Sequence, residues 1–184
     1  MKQILAILLL TMTVNCKAQS PVYTLGSNTP TRIPIDSYIK DSDNLLDKFV
    51  GTWKYNQNGK IFTVNLQKSE MKKLATYYVD ELNGFFKYID NNSTIVDTSS
   101  YPLSNSKITG AWISVDNPNK VILLFNDPER PKMSSRVTLT YSNINGVEKL
   151  HWDLKLTGYV SSRDPNMNQA TDFRVPTNVE LIKQ

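Results

Sequence analysis

The chain has 184 residues, with 21 Lys and Arg against 17 Asp and Glu, and its net charge is +4. This excess is small and no basic block concentrates it, so the composition argues against a nucleic-acid partner. One Cys and one His exclude an internal disulfide and a Cys-ligated metal site, so we expect an ordinary hydrophobic core without metal or cofactor.

The first 15 residues have the pattern of a secretory signal peptide. Lys2 supplies one positive charge, and an apolar run from Ile4 to Val14 follows it. This run is too short for a membrane-spanning helix, which needs about 20 apolar residues. A buried N-terminal helix or strand is the alternative, but no polar face interrupts the run. The sequence therefore predicts export.

Cys16 follows the apolar run directly, at the place where bacterial lipoproteins carry the thiol that becomes acylated. Val14 fits the lipoprotein pattern, whereas Thr13 and Asn15 do not. The alternative is ordinary signal-peptidase cleavage after Ala18, which would give a soluble periplasmic or secreted protein. We expect lipid attachment at Cys16 and a membrane-anchored location in the cell envelope, because two acyl chains make a stable anchor.

Residues 16–41 form a Pro-rich segment that contains Pro21, Pro30 and Pro34 among polar residues. No hydrophobic period continues through it, so an extended tether between the membrane and the domain is one interpretation. Apolar residues such as Ile33 and Ile39 favour the other, an arm packed on the domain. The sequence leaves both open.

Residues 42–184 are predicted to form an all-β domain. Ser42 or Asp43 is placed to cap a short helix before the first strand, and Gly51 ends that helix. Apolar residues then alternate with polar ones, and polar turns are predicted at 58–59, 83–84, 91–92, 116–119 and 143–146. Residues 71–82 also fit a helical spacing, but their β-branched and aromatic content favours a strand. The pattern predicts an antiparallel up-and-down meander, forming a closed or partly open barrel of eight to nine strands.

The stretch from the short helix through Gly51 and Trp53 into the first strand resembles the calycin group, which includes the lipocalins. The resemblance implies a lipocalin-like barrel in which Trp53 closes one end and an Arg near the last strand packs across its ring. Arg174 is the candidate. The whole chain also resembles uncharacterised families of small secreted, lipoprotein-like bacterial proteins, through the "CKAQ" segment at 16–19, and this likeness carries no known activity.

No constellation of catalytic residues is evident, and we expect that the protein is not an enzyme. Strand alternation places the single histidine, His151, on the face opposite Leu150 and Trp152, which predicts that it points to solvent. It would lack a nucleophile partner there. The acidic loop at 127–131 is flanked by prolines, which suits a rigid solvated turn.

Six aromatic residues are expected on inward-facing apolar positions: Trp53, Tyr55, Phe62, Trp112, Phe125 and Trp152. They form either the core of the barrel or the lining of a cavity for a small apolar ligand. The long loop at 158–174 is a candidate for a lid or a partner contact. We therefore expect an exported, lipid-anchored, non-catalytic barrel protein that binds a small apolar ligand. The alternative is a structural or protein-interaction lipoprotein of the envelope with a filled core.

Overall fold

The computed structural model describes residues 20–27, 29–114, 116–160 and 170–184, so the predicted signal peptide and Cys16 lie outside the described residues. Strands dominate, and the only helical elements described are single 3-10 turns at Asp47–Phe49 and Leu103–Asn105. In chain order the strands are β1 (Val22–Thr24), β2 (Tyr38–Lys40), β3 (Gly51–Gln57), β4 (Lys60–Leu74), β5 (Tyr77–Asp90), β6 (Ser93–Asp97), β7 (Ile108–Ser114), β8 (Asn117–Phe125), β9 (Met133–Ile144), β10 (Val147–Tyr159) and β11 (Asn178–Lys183).

Eight of these strands form a closed antiparallel barrel in the order β3-β4-β5-β7-β8-β9-β10-β11. Each barrel strand pairs with the next one along the chain, and β11 pairs back onto β3. The predicted all-β, up-and-down barrel is therefore confirmed, and the barrel is closed. Strands β2 and β6 pair with the edge of β5 outside this ring, and β1 pairs with β2.

The barrel closes along a short seam between β5 and β7. Only three residue pairs join them, from Leu82↔Gly110 to Gly84↔Ile108. Towards its N-terminal end β5 pairs instead with β2, in parallel, and β1 continues the sheet. The described residues of the segment 16–41, which are 20–27 and 29–41, therefore form an arm packed against the barrel rather than a free tether.

Aromatic side chains fill the middle of the barrel. The rings of Phe62 and Trp152 lie 5.0 Å apart between centroids, and those of Phe86 and Phe125 lie 4.8 Å apart. Phe125 also meets Trp152 at 5.8 Å. All four side chains are buried, because alternate residues of each barrel strand point inward. The barrel interior is therefore a packed core.

The predicted turn at residues 83–84 is wrong, since both residues lie within β5. The chain turns earlier, at 75–76, where Ala75 has a positive φ of 44°. Gly84 has a different role: a Cβ there would stand 2.6 Å from Leu66 and 2.9 Å from the carbonyl oxygen of Asn65. Glycine at this position permits close approach of β4 to β5. The turns predicted at 58–59 and 91–92 are confirmed. The turn predicted at 143–146 is confined to residues 145–146, because β9 extends to Ile144, and the turn predicted at 116–119 is wrong for residues 117–119, which belong to β8.

The predicted short helix before the first barrel strand is reduced to the 3-10 turn Asp47–Phe49. The 3-10 turn itself has no side-chain cap, and the backbone just before it is held by Asp41 rather than by Ser42 or Asp43. The Asp41 carboxylate accepts hydrogen bonds from the backbone N–H groups of Leu45 and Leu46, at 2.7 and 3.0 Å. Within the described ranges, no helix has the length and apolar character needed to cross a membrane.

Candidate functional site

Trp53 closes one end of the barrel. Its side chain is fully buried, and its indole N–H donates to the carbonyl oxygen of Phe49 at 2.8 Å. The Tyr141 ring meets it edge-on at 6.4 Å, and the Lys183 ammonium lies 5.3 Å from the ring centroid. Gly51 makes room here, because a Cβ on it would lie 3.2 Å from the Lys183 side chain. The cation over Trp53 is therefore Lys183.

The prediction that Arg174 packs on Trp53 is wrong, and strand direction explains why. β11 runs antiparallel to β3, so its last residue, Lys183, pairs with Trp53 at the start of β3. Arg174 precedes β11 and so lies at the opposite end of the barrel. There its guanidinium binds the buried Asp127 carboxylate, with Nε at 2.8 Å from Oδ2, and also contacts Glu129 at 2.7 Å. The loop at 127–131 is thus anchored by a buried ion pair.

Trp112 is also misplaced by the prediction, since 51% of its surface is exposed. The pairing of β7 with β8 shifts register between Thr109 and Trp112, and Gly110 there has a φ of 137°. A bulge of this kind reverses the inward and outward positions that follow it. Trp112 therefore points outward, and the Arg136 guanidinium lies 5.1 Å from its ring centroid.

The other predicted positions divide between core and surface. Phe62, Phe125 and Trp152 belong to the packed interior, whereas Tyr55 is only half-buried. His151 is exposed, as predicted. Among the described residues there is no cluster of three or more His, Cys, Asp or Glu that could hold a metal ion.

The candidate binding site is a pocket of about 380 Å³ where the barrel seam opens. On one side β5 is covered by the arm, and on the other β7 bends away beyond Gly110. We call this space the arm pocket. It is lined by Leu25, Gly26, Ser27, Thr29, Ile33, Ile39, Lys72, Leu74, Tyr77, Val79, Glu81, Thr109, Gly110, Ala111, Trp112, Ile113 and Leu124.

Two buried carboxylates hold the arm that forms one wall of this pocket. Asp80 of β5 accepts hydrogen bonds from the Tyr38 hydroxyl, from the Asp41 backbone N–H at 2.9 Å and from the Met71 backbone N–H at 3.0 Å. Burial, together with the hydrogen bond to Asp80, raises the pKa of Tyr38 to about 12. The hydroxyl therefore stays protonated and keeps donating at neutral pH.

Asp41 forms the second attachment. Its carboxylate, besides capping the turn before β3, binds the Lys68 ammonium of β4 at 2.8 Å. Lys68 also reaches Asp47 at 2.8 Å, and the two carboxylates outweigh its burial and raise the pKa of Lys68. The arm is thus attached to both strands that bear the polar side of the arm pocket, β4 and β5.

A polar cluster lies at one edge of the arm pocket. The Lys72 ammonium binds the Glu81 carboxylate and donates to Asn83 Oδ1 at 3.1 Å. Ser106 donates to the same oxygen at 2.8 Å. Asn83 is only 1% exposed, and its Nδ2 group has no hydrogen-bond partner within the described part of the chain.

The sequence-based predictions missed this cluster and the carboxylates that hold the arm. One clue was present: Asp80 and Glu81 are adjacent in a strand-like stretch, and adjacent strand residues face opposite sides of a sheet. In a barrel strand, at least one of two adjacent carboxylates faces the interior, and a buried carboxylate requires partners. The arm supplies these partners on the Asp80 side.

The fold and pocket define an all-β protein with a closed eight-stranded barrel and a docked N-terminal arm. The chain belongs to the family described as "Family of unknown function (DUF6705)", which matches residues 1–184. Comparison with curated proteins gave no match, and comparison with solved structures gave none either.

Proposed function

We propose that this protein is an exported, lipid-anchored envelope protein whose barrel domain binds a small apolar ligand in the arm pocket. The observation that carries the proposal is the pocket itself. Its volume of about 380 Å³ falls within the usual range of small-molecule sites, and most of its lining is apolar. The packed rings of the barrel leave the interior as the structural core, which moves the expected ligand site from the barrel axis to the seam.

The proposed anchor and the proposed pocket support each other. The described arm starts at Ser20, four residues after Cys16, and an extended chain covers at most about 3.6 Å per residue. An acylated Cys16 would then hold Ser20, the start of the described arm, within about 14 Å of the membrane surface. A pocket walled by that arm is well placed to exchange apolar molecules with the membrane.

Tryptophan fluorescence tests the binding proposal, because the three indoles differ in position. Trp112 lines the pocket, whereas Trp53 and Trp152 are fully buried elsewhere. Titration with a fluorescence-silent apolar probe such as methyl laurate should change the emission saturably, and Trp112→Phe should abolish that change. The absence of any saturable change in the wild type would refute the proposal.

A matched pair of variants separates pocket binding from surface adsorption. Thr109→Phe puts a ring into the pocket while keeping Trp112 as reporter, and it should prevent binding. Thr140→Phe is the control, because Thr140 is also a half-buried barrel-strand threonine but does not line the pocket. Equal loss of binding in both variants would contradict the proposed site.

The anchor has its own test. Cys16→Ala should move the protein from the membrane fraction to the soluble fraction, since the variant lacks the thiol that carries the lipid. A wild-type protein that is already soluble, with Gln19 as its N-terminal residue, would contradict the anchor and favour cleavage after Ala18. The expectation that the protein is not an enzyme stays a prediction.

A second candidate function is a structural or interaction role in the envelope. The packed barrel favours it, together with the outward apolar pair Trp112 and Leu124, which are 51% and 37% exposed. In that case apolar probes would leave the emission of Trp112 unchanged. A protein partner would instead protect Trp112 from a soluble quencher such as acrylamide.

A further inference from the structure

Building on the proposed function, we infer that the arm pocket selects uncharged amphiphiles with a carbonyl or ester oxygen as head group over fatty carboxylates. The inference rests on Lys72 and Glu81, which line the edge of the pocket, and on Asn83 beside them. Lys72 and Glu81 are the two charged residues among the described lining residues, and they form an ion pair with each other. The polar edge therefore carries no net charge.

One hydrogen-bond donor of Lys72 has no partner among the described residues. An ammonium has three N–H donors, and two of those on Lys72 are used by Glu81 and Asn83 Oδ1. Asn83 Oδ1 is saturated, because it accepts from Lys72 and Ser106. The Asn83 Nδ2 group is buried and lacks a partner in the described residues. Asn83 does not line the pocket, whereas Lys72 does, so the remaining N–H of Lys72 is the donor suited to a ligand that brings an oxygen acceptor.

The charge of Glu81 decides which acceptor fits. Glu81 is 4% exposed, so water screens its carboxylate poorly. A ligand carboxylate that approached Lys72 would lie beside this buried negative charge, and like charges at such distances repel. An ester or carbonyl oxygen accepts the same hydrogen bonds without that repulsion. The apolar lining from Leu25 to Trp112 would then hold the acyl chain.

Three probes with one chain length test the inference on the unmodified protein: laurate, methyl laurate and dodecane. With Trp112 emission as the readout, methyl laurate should bind about tenfold more tightly than laurate. This ratio corresponds to a difference of about 1.4 kcal/mol in binding free energy. Dodecane should bind more weakly than methyl laurate, because it brings no acceptor to the polar cluster. Laurate binding as tight as that of the ester, or tighter, would overturn the inference.

A charge-neutralising variant checks the cause. Glu81→Gln removes the negative charge with little change in shape, so it should raise the affinity for laurate about fivefold or more and leave methyl laurate nearly unchanged. An unchanged preference in Glu81→Gln would overturn the assigned role of Glu81. If none of the three probes binds the wild type, the proposed apolar site itself fails. If all three bind equally, only the head-group inference fails.

Discussion

Replacement of Trp53 by Ala is the sharpest test of how the closed end of the barrel is held. Removal of a fully buried aromatic side chain costs about 3–5 kcal/mol in lost contacts and residual cavity. The Phe49 carbonyl also loses its indole donor, which adds about 1 kcal/mol. Loss of the Lys183 contact adds about 0.5 kcal/mol, because that ammonium is partly exposed. The sum is comparable with the total stability of many domains, so Trp53→Ala should be close to unfolding.

Urea denaturation followed by far-ultraviolet circular dichroism measures this cost without depending on the indole signal. Trp112→Ala is the matched control, since it makes the same chemical change at a half-exposed site and should cost less than about 1 kcal/mol. Trp53→Phe keeps a ring but loses the indole donor, and it should cost about 1–2 kcal/mol. If Trp53→Ala proves no more damaging than Trp112→Ala, the assignment of Trp53 as the closing residue is refuted.

Three further predictions concern other parts of the fold. Arg174→Met should destabilise the protein by about 3–5 kcal/mol in urea denaturation, because it leaves the Asp127 carboxylate buried without its cation. Adding Asp127→Asn should recover part of this loss, and the absence of any recovery would contradict the pairing. Tyr38 has a pKa raised from its ordinary value of 10.0 to about 12, so its contribution to stability is complete below pH 10 and is lost as the pH rises through 12. An absorbance titration in which Tyr38→Phe removes no late-titrating tyrosine would refute this. Gly84→Ala should lower the thermal midpoint through a cost of about 1–3 kcal/mol, because the new methyl meets the Asn65 carbonyl oxygen; an unchanged midpoint would argue against close packing of β4 on β5.

Much of the barrel could be predicted because its strands obey the period-two rule. In β8 and β10, alternate residues are buried as the sequence pattern indicates, and the turn at 145–146 carries asparagine and glycine in the left-handed region. The Asn-Gly pair at 83–84 has the composition of a hairpin turn, but both residues lie in the middle of β5. Gly84 is required by the close approach of Leu66, and only the tertiary structure reveals that neighbour.

The candidate site was harder to predict because it depends on contacts between distant segments. The arm pocket requires residues 25–39 to pack beside β5 and β7, and no local pattern specifies which part of the barrel receives an arm. A single bulge near Gly110 also moved Trp112 from the expected interior to the pocket rim. The direction of the last strand depends on the number of strands, which was predicted as eight to nine. With eight strands the last one runs antiparallel to the first, which places Lys183 beside Trp53 and Arg174 at the far end.

The short seam gives the N-terminal arm an importance beyond the pocket. A closed barrel has no sheet edges, but β5 and β7 share only three residue pairs, and β2 covers the part of β5 that β7 leaves. Without the arm, the backbone groups of β5 near Val79 would be open to pairing with a strand from another molecule. The arm, whose sequence resembles a linker, therefore prevents association of barrels through the exposed edge of β5. For this reason the arm cannot be shortened as freely as a flexible tether.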